Sequence, residues 1–224
     1  MAFPGRTFAN ILFPLSGAVI PVLFYLRSSA FTAMAVALVL LVTTCYTLFS
    51  FREIKSAASD AATLFFGMLY VPLLLGFLVL LRNQPDGLGW IMMILLIVMS
   101  GDSAAYFIGC RFGKNKLYPS VSPNKSIEGA VGGLFGSAIG AIVCKLVFLP
   151  GISIFAAVVA AVLIGSTGQV GDLFESLLKR SFGVKDSGTI IPGHGGILDR
   201  LDSILFAAPV AYGIALFLSG RSPF

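Results

Sequence analysis

Charged residues are scarce in this chain. It contains 15 Lys and Arg and 10 Asp and Glu among 224 residues, or 11% in total, whereas apolar residues make up 57%. The mean hydropathy is +0.96. A soluble globule of this composition could not cover its surface with polar side chains. The composition therefore excludes an ordinary water-soluble domain and predicts a protein with several membrane-spanning segments.

Side chains that bind zinc or form disulfides are also few. The chain has one histidine and three cysteines, Cys45, Cys110 and Cys144, with no CxxC or Cys/His spacing. This pattern excludes a zinc site and a disulfide framework, and we expect three free, buried thiols. No nucleic-acid-binding module is recognisable either. The net charge of +5 is therefore better explained by membrane topology and a polyanionic substrate than by nucleic-acid binding.

Long apolar runs are abundant. A helix needs about 20 mostly apolar residues to cross a hydrocarbon core about 30 Å thick. Seven windows of this kind lie at approximately 8–26, 31–51, 61–81, 88–110, 127–149, 152–174 and 202–219. The sequence therefore predicts an all-α fold, a polytopic transmembrane helical bundle of about seven spans. We expect a single integral membrane domain over residues 1–224, with N-terminal spans in 1–87 and, in 88–224, the spans and cytoplasmic loops that carry the candidate functional residues.

The distribution of Lys and Arg predicts the orientation of these spans. If the N-terminus is cytoplasmic, eleven Lys and Arg residues fall on the cytoplasmic side and three on the other side. Cytoplasmic loops carry an excess of positive residues, so this bias favours a cytoplasmic N-terminus. The same orientation places both long polar connections, 111–126 and 180–201, in the cytoplasm, where nucleotides are found.

One stretch near the C-terminus, residues 171–203, concentrates five acidic and four basic residues. Ionisable groups at a membrane edge are candidates for function. If the sixth span stays helical, Asp172, Ser176 and Lys179 share one face. A carboxylate, a hydroxyl and an ammonium together suit a metal-bound phosphate. We interpret Glu175, at the margin of that face, as the partner of Lys179 in a simple helix-end ion pair.

A glycine-rich run, 192–196, follows and contains His194. Such a run lets backbone N–H groups approach an anion closely, although a turn would use the same residues. Asp199, Arg200 and Asp202 come directly afterwards and open the last helix. Acidic residues in a first helical turn also complement the helix dipole, so for Asp202 both interpretations stay open.

A second polar group begins inside the fourth span, where Asp102 interrupts an apolar run. An aspartate at that depth must meet a cation, a donor or water inside the bundle, and a structural hydrogen bond between helices is the alternative. The loop that follows contains Ser122 and Lys125. Lys125, just before a helix, could place its ammonium against a triphosphate at the helix N-terminus. Other lysines of this loop are better interpreted as a basic belt at the membrane surface.

Two blocks of the chain resemble the phosphatidate cytidylyltransferases, also called CDP-diacylglycerol synthases. The first block is SLLKRSFGVKDSGTIIPGHGGILDRLD, from Ser176 to Asp202. The second lies upstream and consists of GDSAAYFIGCRFGKNKL and SPNKSIEGAVGG, in the order that the family has them. The N-terminal third is similar only in being hydrophobic.

The resemblance implies transfer of a cytidylyl group from CTP to phosphatidic acid, giving CDP-diacylglycerol and pyrophosphate for phospholipid biosynthesis. It implies a requirement for Mg²⁺, with a second cation compatible with the same site, and an active site on the cytoplasmic face of the inner membrane. Asp172 and Asp199 would bind the metal. The residues expected to act in the reaction are Asp172, Ser176, Lys179 and Asp199. Those expected to bind substrate are Asp102, Ser122, Lys125, Lys185, His194, Arg200 and Asp202.

This reaction does not need a strong general base. A phosphate monoester has a second pKa near 6 and is already largely a dianion at neutral pH. We therefore expect His194 to bind substrate or order its loop. The charge on the reacting phosphates would instead be neutralised by metal and cationic side chains.

Two alternatives remain. The nearer is a related CTP-dependent membrane enzyme, either a CDP-archaeol-type synthase that uses an isoprenoid ether lipid or a kinase that phosphorylates a lipid alcohol. The more distant is a non-enzymatic transporter, which the clustering of charge at one membrane face disfavours. The expected partners are CTP, phosphatidic acid and the lipid bilayer, with no nucleic acid. The fifth span, with glycines at four-residue intervals, predicts close helix packing and is also a candidate surface for a homodimer.

Overall fold

The computed structural model describes residues 17–26, 29–51, 53–188 and 196–220. Within these ranges the chain forms seven α-helices and one two-stranded sheet. The helices are α1 (Val19–Tyr25), α2 (Ser29–Ser50), α3 (Ala57–Arg82), α4 (Gly87–Phe112), α5 (Ile127–Val147), α6 (Ile154–Ser181) and α7 (Leu198–Ser219). The strands are β1 (Lys116–Tyr118) and β2 (Ser122–Ser126), between α4 and α5.

The six helices α2 to α7 are each long and apolar enough to cross a membrane. An α-helix satisfies its backbone hydrogen bonds internally, which a segment surrounded by lipid requires. These helices correspond to six of the seven predicted windows. The remaining window, 8–26, lies partly outside the described residues, and within it the structure describes the short helix α1. The prediction of an α-helical membrane protein with several spans is confirmed.

The chain divides into two compact units, the first ending at Asn83 and the second beginning at Gln84. In the first unit, a small core of Val39, Leu64 and Met68 joins α2 to α3. The prediction of a single domain stays a prediction. Nearly all of the polar residues singled out in the sequence belong to the second unit.

Helices α4 and α5 of the second unit pack closely because glycines on α5 leave room for the facing backbone. A Cβ added to Gly136 would lie 2.5 Å from both the Ser100 carbonyl oxygen and the Ala104 Cβ. The Ser100 hydroxyl donates to the Gly136 carbonyl at 2.9 Å, and the Ser137 hydroxyl donates to the Ile97 carbonyl at 3.0 Å. The glycine-rich face of α5 is therefore covered by α4. This face is therefore not open to a second copy of the chain in this structure, and the homodimer stays a prediction.

The polar ends of the four helices of this unit meet. Gly109, near the end of α4, lies beside Ser126, just before α5. Gly171, in the C-terminal half of α6, would place an added Cβ 2.7 Å from the Asp202 carbonyl oxygen of α7. The C-terminal parts of α4 and α6 and the N-terminal parts of α5 and α7 thus lie at one end of the second unit. We call this the polar end.

A small hairpin lies at the polar end, where the sequence predicted only a polar connection. Strands β1 and β2 are antiparallel, with Lys116 opposite Ser126 and Tyr118 opposite Ser122. Ser126 also caps α5, because its hydroxyl accepts the Gly129 N–H at 3.1 Å. The hairpin therefore ends directly at the first turn of a membrane-spanning helix. This fixes the position of Lys125, the residue before the cap.

The three cysteines are free thiols, as expected, but only Cys144 is buried. Cys45 and Cys110 are exposed, so the expectation of burial is wrong for these two. Both lie on helix faces that the folded chain leaves open, a position that an apolar thiol tolerates beside lipid.

Candidate functional site

An ion pair links the hairpin to α6. The Lys125 ammonium, on β2, is paired with the Asp172 carboxylate. The two side chains are 31% and 32% exposed, so both can be reached by a ligand. Lys125 comes directly before the residue that caps α5, and the hairpin turns it towards α6. Two residues that are far apart in the sequence, each predicted to belong to the site, therefore meet at the polar end.

Two further carboxylates lie near this pair. Asp102 of α4 and Asp202 of α7 are each close enough to Asp172 and Lys125 for their charges to interact. Asp202 is 9% exposed and accepts the Ser203 N–H at 2.6 Å, whereas Asp102 is exposed. We call Asp102, Lys125, Asp172 and Asp202 the acidic cluster. Three carboxylates around one ammonium form an environment that favours a cationic ligand.

A second network surrounds Lys179, near the end of α6. The Lys179 ammonium lies 2.5 Å from Glu175 Oε2 and 2.7 Å from Asp199 Oδ1 of α7. Asp199 Oδ2 accepts the Ser187 N–H at 2.9 Å, the Ser187 hydroxyl at 2.8 Å and the Gly196 N–H at 2.7 Å. We call these five residues the Lys179 network. It joins the end of α6 and the segment after it to the first turn of α7.

A small cavity with a mixed polar and apolar lining lies between α4, α5, α6 and α7. Its polar lining residues are Asp102, Ser137, Gln169 and Ser203, and it has room for about one water molecule. The Gln169 amide also donates to the Ala130 carbonyl at 3.0 Å. The cavity gives Asp102 the polar surroundings that an aspartate within a span requires. The sequence interpretation missed Gln169, although an amide in the middle of an apolar span is itself a signal.

The other predicted site residues are less closely connected to these two groups. Ser176 is partly buried on α6, between Asp172 and Lys179, and Ser122 is partly buried on β2. Lys185 and Arg200 are exposed, and His194 lies outside the described residues. Glu175, Ser187 and Gly196 take part in the Lys179 network, although the sequence did not single them out for the site.

The two aspartates predicted to bind metal belong to different groups, Asp172 to the acidic cluster and Asp199 to the Lys179 network. In the part of the chain that the structure describes, no three His, Cys, Asp or Glu side chains are arranged to hold a metal ion. A shared metal would therefore need ligands from substrate or water as well. The assignment of the metal ligands stays a prediction.

These features define a class: a polytopic α-helical membrane protein with acidic and basic side chains gathered at one end of a four-helix unit. Residues 3–218 match the family described as the cytidylyltransferase family. The chain belongs to this family, as the resemblance of its two sequence blocks predicted.

The curated relatives carry one shared name. Over 151 residues the chain is 44% identical to the phosphatidate cytidylyltransferases of Staphylococcus saprophyticus and Staphylococcus haemolyticus. It is 43% identical to that of Staphylococcus aureus over the same number of residues. Each alignment covers 67% of this chain and 57% of the relative, so the chain matches little more than half the length of these proteins.

Proposed function

We propose that this protein transfers a cytidylyl group from CTP to phosphatidic acid, giving CDP-diacylglycerol and pyrophosphate. Membership of the cytidylyltransferase family and the name shared by the relatives support this reaction. The structural observation that carries it is the acidic cluster, where Lys125 and Asp172 meet within a membrane protein. With a cation bound to its carboxylates, a site of that kind could bring a polyanionic nucleotide to a phosphate that is anchored in lipid.

The proposed reaction is an in-line displacement at phosphorus. An oxygen of the lipid phosphate attacks the α-phosphorus of CTP, and the bond from that phosphorus to the bridging oxygen of the β-phosphate breaks. Pyrophosphate leaves with the bonding electrons. The attacking phosphate is largely a dianion at neutral pH, so no side chain has to remove a proton from it. The protein's part is to orient the reactants and to balance negative charge.

Two lysines can balance that charge. Lys125 and Lys179 each hold an ammonium next to a carboxylate, and their side chains are 31% and 16% exposed. An ammonium has three donors, so it can keep a carboxylate partner and also donate to a phosphate oxygen. We assign Lys125 and Lys179 to the phosphates. Ser176, on the same side of α6, is a further donor for them.

The donor chemistry of the acidic cluster fits a divalent cation, and we propose Mg²⁺. Mg²⁺ prefers hard oxygen ligands and is usually held by one or two carboxylates together with water and substrate phosphates. Asp172 is the first candidate ligand. From the described residues, Asp199 accepts three hydrogen bonds on Oδ2 and one on Oδ1, so among these residues Oδ1 keeps a lone pair for a cation. When bound, the cation would offset the negative charge that develops on the phosphates.

The polar end would face the cytoplasm. The excess of Lys and Arg on that side and the cytoplasmic location of CTP both favour this orientation. We therefore place the protein in the cytoplasmic membrane with its N-terminus inside.

Analysis of the products tests the reaction and separates it from its alternatives. Purified protein in detergent is given CTP labelled at the α-phosphorus, Mg²⁺, and either phosphatidic acid, an isoprenoid ether-lipid phosphate or a lipid alcohol. We expect the label to enter a CDP-lipid with phosphatidic acid. Label found only in a CDP-ether lipid would mean that the ether-lipid phosphate is the substrate. An unlabelled lipid phosphate formed from the lipid alcohol, with labelled CDP released, would indicate a kinase.

A further inference from the structure

Glu175 is a buried carboxylate in the ion pair with Lys179 that the sequence predicts at the helix end. Its side chain is 2% exposed, and both of its carboxylate oxygens are buried. The Lys179 ammonium lies 2.5 Å from Oε2. Moving a carboxylate out of water costs several kcal/mol unless it is paired. A pair that only stabilised the exposed end of a helix would not need this burial.

Glu175 shares Lys179 with Asp199. The Lys179 ammonium lies between the two carboxylates, one on its own helix and one on α7, at 2.5 and 2.7 Å. The contact with Asp199 is a hydrogen bond, whereas the contact with Glu175 is an ion pair in which neither buried oxygen of Glu175 has a hydrogen-bond partner among the described residues. The two carboxylates together fix the position of the ammonium, which still has hydrogens for a further group. Asp199 is itself held by Ser187 and Gly196, so the Asp199 side of this arrangement is anchored.

We propose that Glu175 is a positioning residue: through the charge of its carboxylate it holds the Lys179 ammonium where one of its hydrogens reaches a substrate phosphate. Without this carboxylate, Lys179 would be held by Asp199 alone and its remaining hydrogens would lose a fixed direction. This inference rests on the proposed function, in which Lys179 contacts the phosphates of the reacting lipid and nucleotide. Glu175 itself touches no substrate and acts through Lys179.

The test is a double-mutant cycle on cytidylyl transfer. Glu175→Gln keeps the size of the side chain and an acceptor oxygen but removes the charge. Because Glu175 supports a group that touches substrate, we expect kcat to fall about 10- to 100-fold. In a Lys179→Met background the same change should have almost no further effect, since its target is gone. A second background, Lys179→Arg, keeps a positive charge. It replaces Lys179→Met in the cycle if that variant has too little activity to measure.

Glu128→Gln is the matched control. Glu128 is also an acidic residue near a helix end, but its carboxylate accepts from the backbone N–H groups of Lys114 and Asn115 and from the Asn115 side chain. The Glu128→Gln substitution should have a small effect on kcat. This effect should be the same in the unmodified protein and in the Lys179→Met background. If Glu175→Gln lowered kcat equally in the unmodified protein and in the Lys179→Met background, the inference would be overturned.

Hydrogen exchange supplies a readout that does not depend on activity. If Glu175 only positions Lys179, the Glu175→Gln variant keeps the Lys179–Asp199 pair, and the Ser187 and Gly196 amides stay as protected as in the unmodified protein. Faster exchange at both amides together with lower kcat would show a merely structural role and overturn the inference. Failure of the unmodified protein to make CDP-lipid would instead refute the proposed function on which it rests.

Discussion

The Lys179 ammonium lies 2.7 Å from Asp199 Oδ1, across a separation of 20 residues in the chain. One residue is near the C-terminal end of α6 and the other is in the first turn of α7. Asp199 also accepts hydrogen bonds from Ser187 and Gly196, which both lie in the connection between α6 and α7. This single carboxylate therefore ties two points of that connection to the first turn of α7.

Replacing Asp199 with asparagine should loosen that connection. Asparagine has one acceptor oxygen where Asp199 uses two, so either the Ser187 and Gly196 donors or the Lys179 ammonium lose an acceptor and face an NH2 group, at a cost of about 1–3 kcal/mol. We expect faster amide exchange at Ser187 and a lower thermal midpoint in detergent. Asp186→Asn, a change of an exposed aspartate in the same segment, is the control. Unchanged exchange in the Asp199 variant would contradict this role.

Replacing Lys125 with methionine should weaken the binding of CTP. This removes the ammonium that faces Asp172 and that we assign to the phosphates. Since a hydrogen bond to a charged group is worth about 1.5–3 kcal/mol, we expect the KM for CTP to rise about 10- to 100-fold. Lys116→Met, on the exposed neighbouring strand, tests for a general effect of charge. Equal changes in KM in the two variants would place Lys125 in a basic belt at the membrane surface.

Replacing Gly136 with alanine should destabilise the second unit. The new methyl group would lie 2.5 Å from atoms of Ser100 and Ala104, so α4 and α5 would have to separate. Crowding of this kind costs about 1–3 kcal/mol. Gly213→Ala on α7 adds the same methyl group with nothing within 4 Å and should leave stability nearly unchanged. The stability of both variants is measured by unfolding in a denaturing detergent. Equal stability of the two variants would contradict the close packing of α4 against α5.

The sequence was sufficient to predict the spans and the candidate residues. Apolar runs of the required length are long and continuous, so six predicted windows correspond to six helices. The resemblance of two blocks named Lys125, Asp172, Lys179 and Asp199 as members of one site. Helical periodicity also placed Asp172, Ser176 and Lys179 on one face of α6, which the helix confirms by extending to Ser181.

The partners of these residues depend on tertiary structure and could not be predicted. Nothing in the spacing along the chain indicates that Lys125 pairs with Asp172 or that Asp199 holds Ser187. The hairpin was missed because its strands have only three and five residues. The ion pair of Glu175 with Lys179 was predicted because the i, i+4 spacing is visible in the sequence, and it is confirmed, whereas the burial of Glu175 depends on how α6 packs.

The central claim is that the acidic cluster supports transfer of a cytidylyl group to phosphatidic acid. Its most direct test is pyrophosphate release by purified protein in detergent, with CTP and Mg²⁺, in the presence and absence of phosphatidic acid and of EDTA. The unmodified protein and the Asp172→Asn variant are compared after both are shown to be folded. We predict release that requires phosphatidic acid, stops with EDTA and is abolished in the variant. Undiminished release in the variant would contradict the role of Asp172, and no release from the unmodified protein with phosphatidic acid would contradict the proposed reaction.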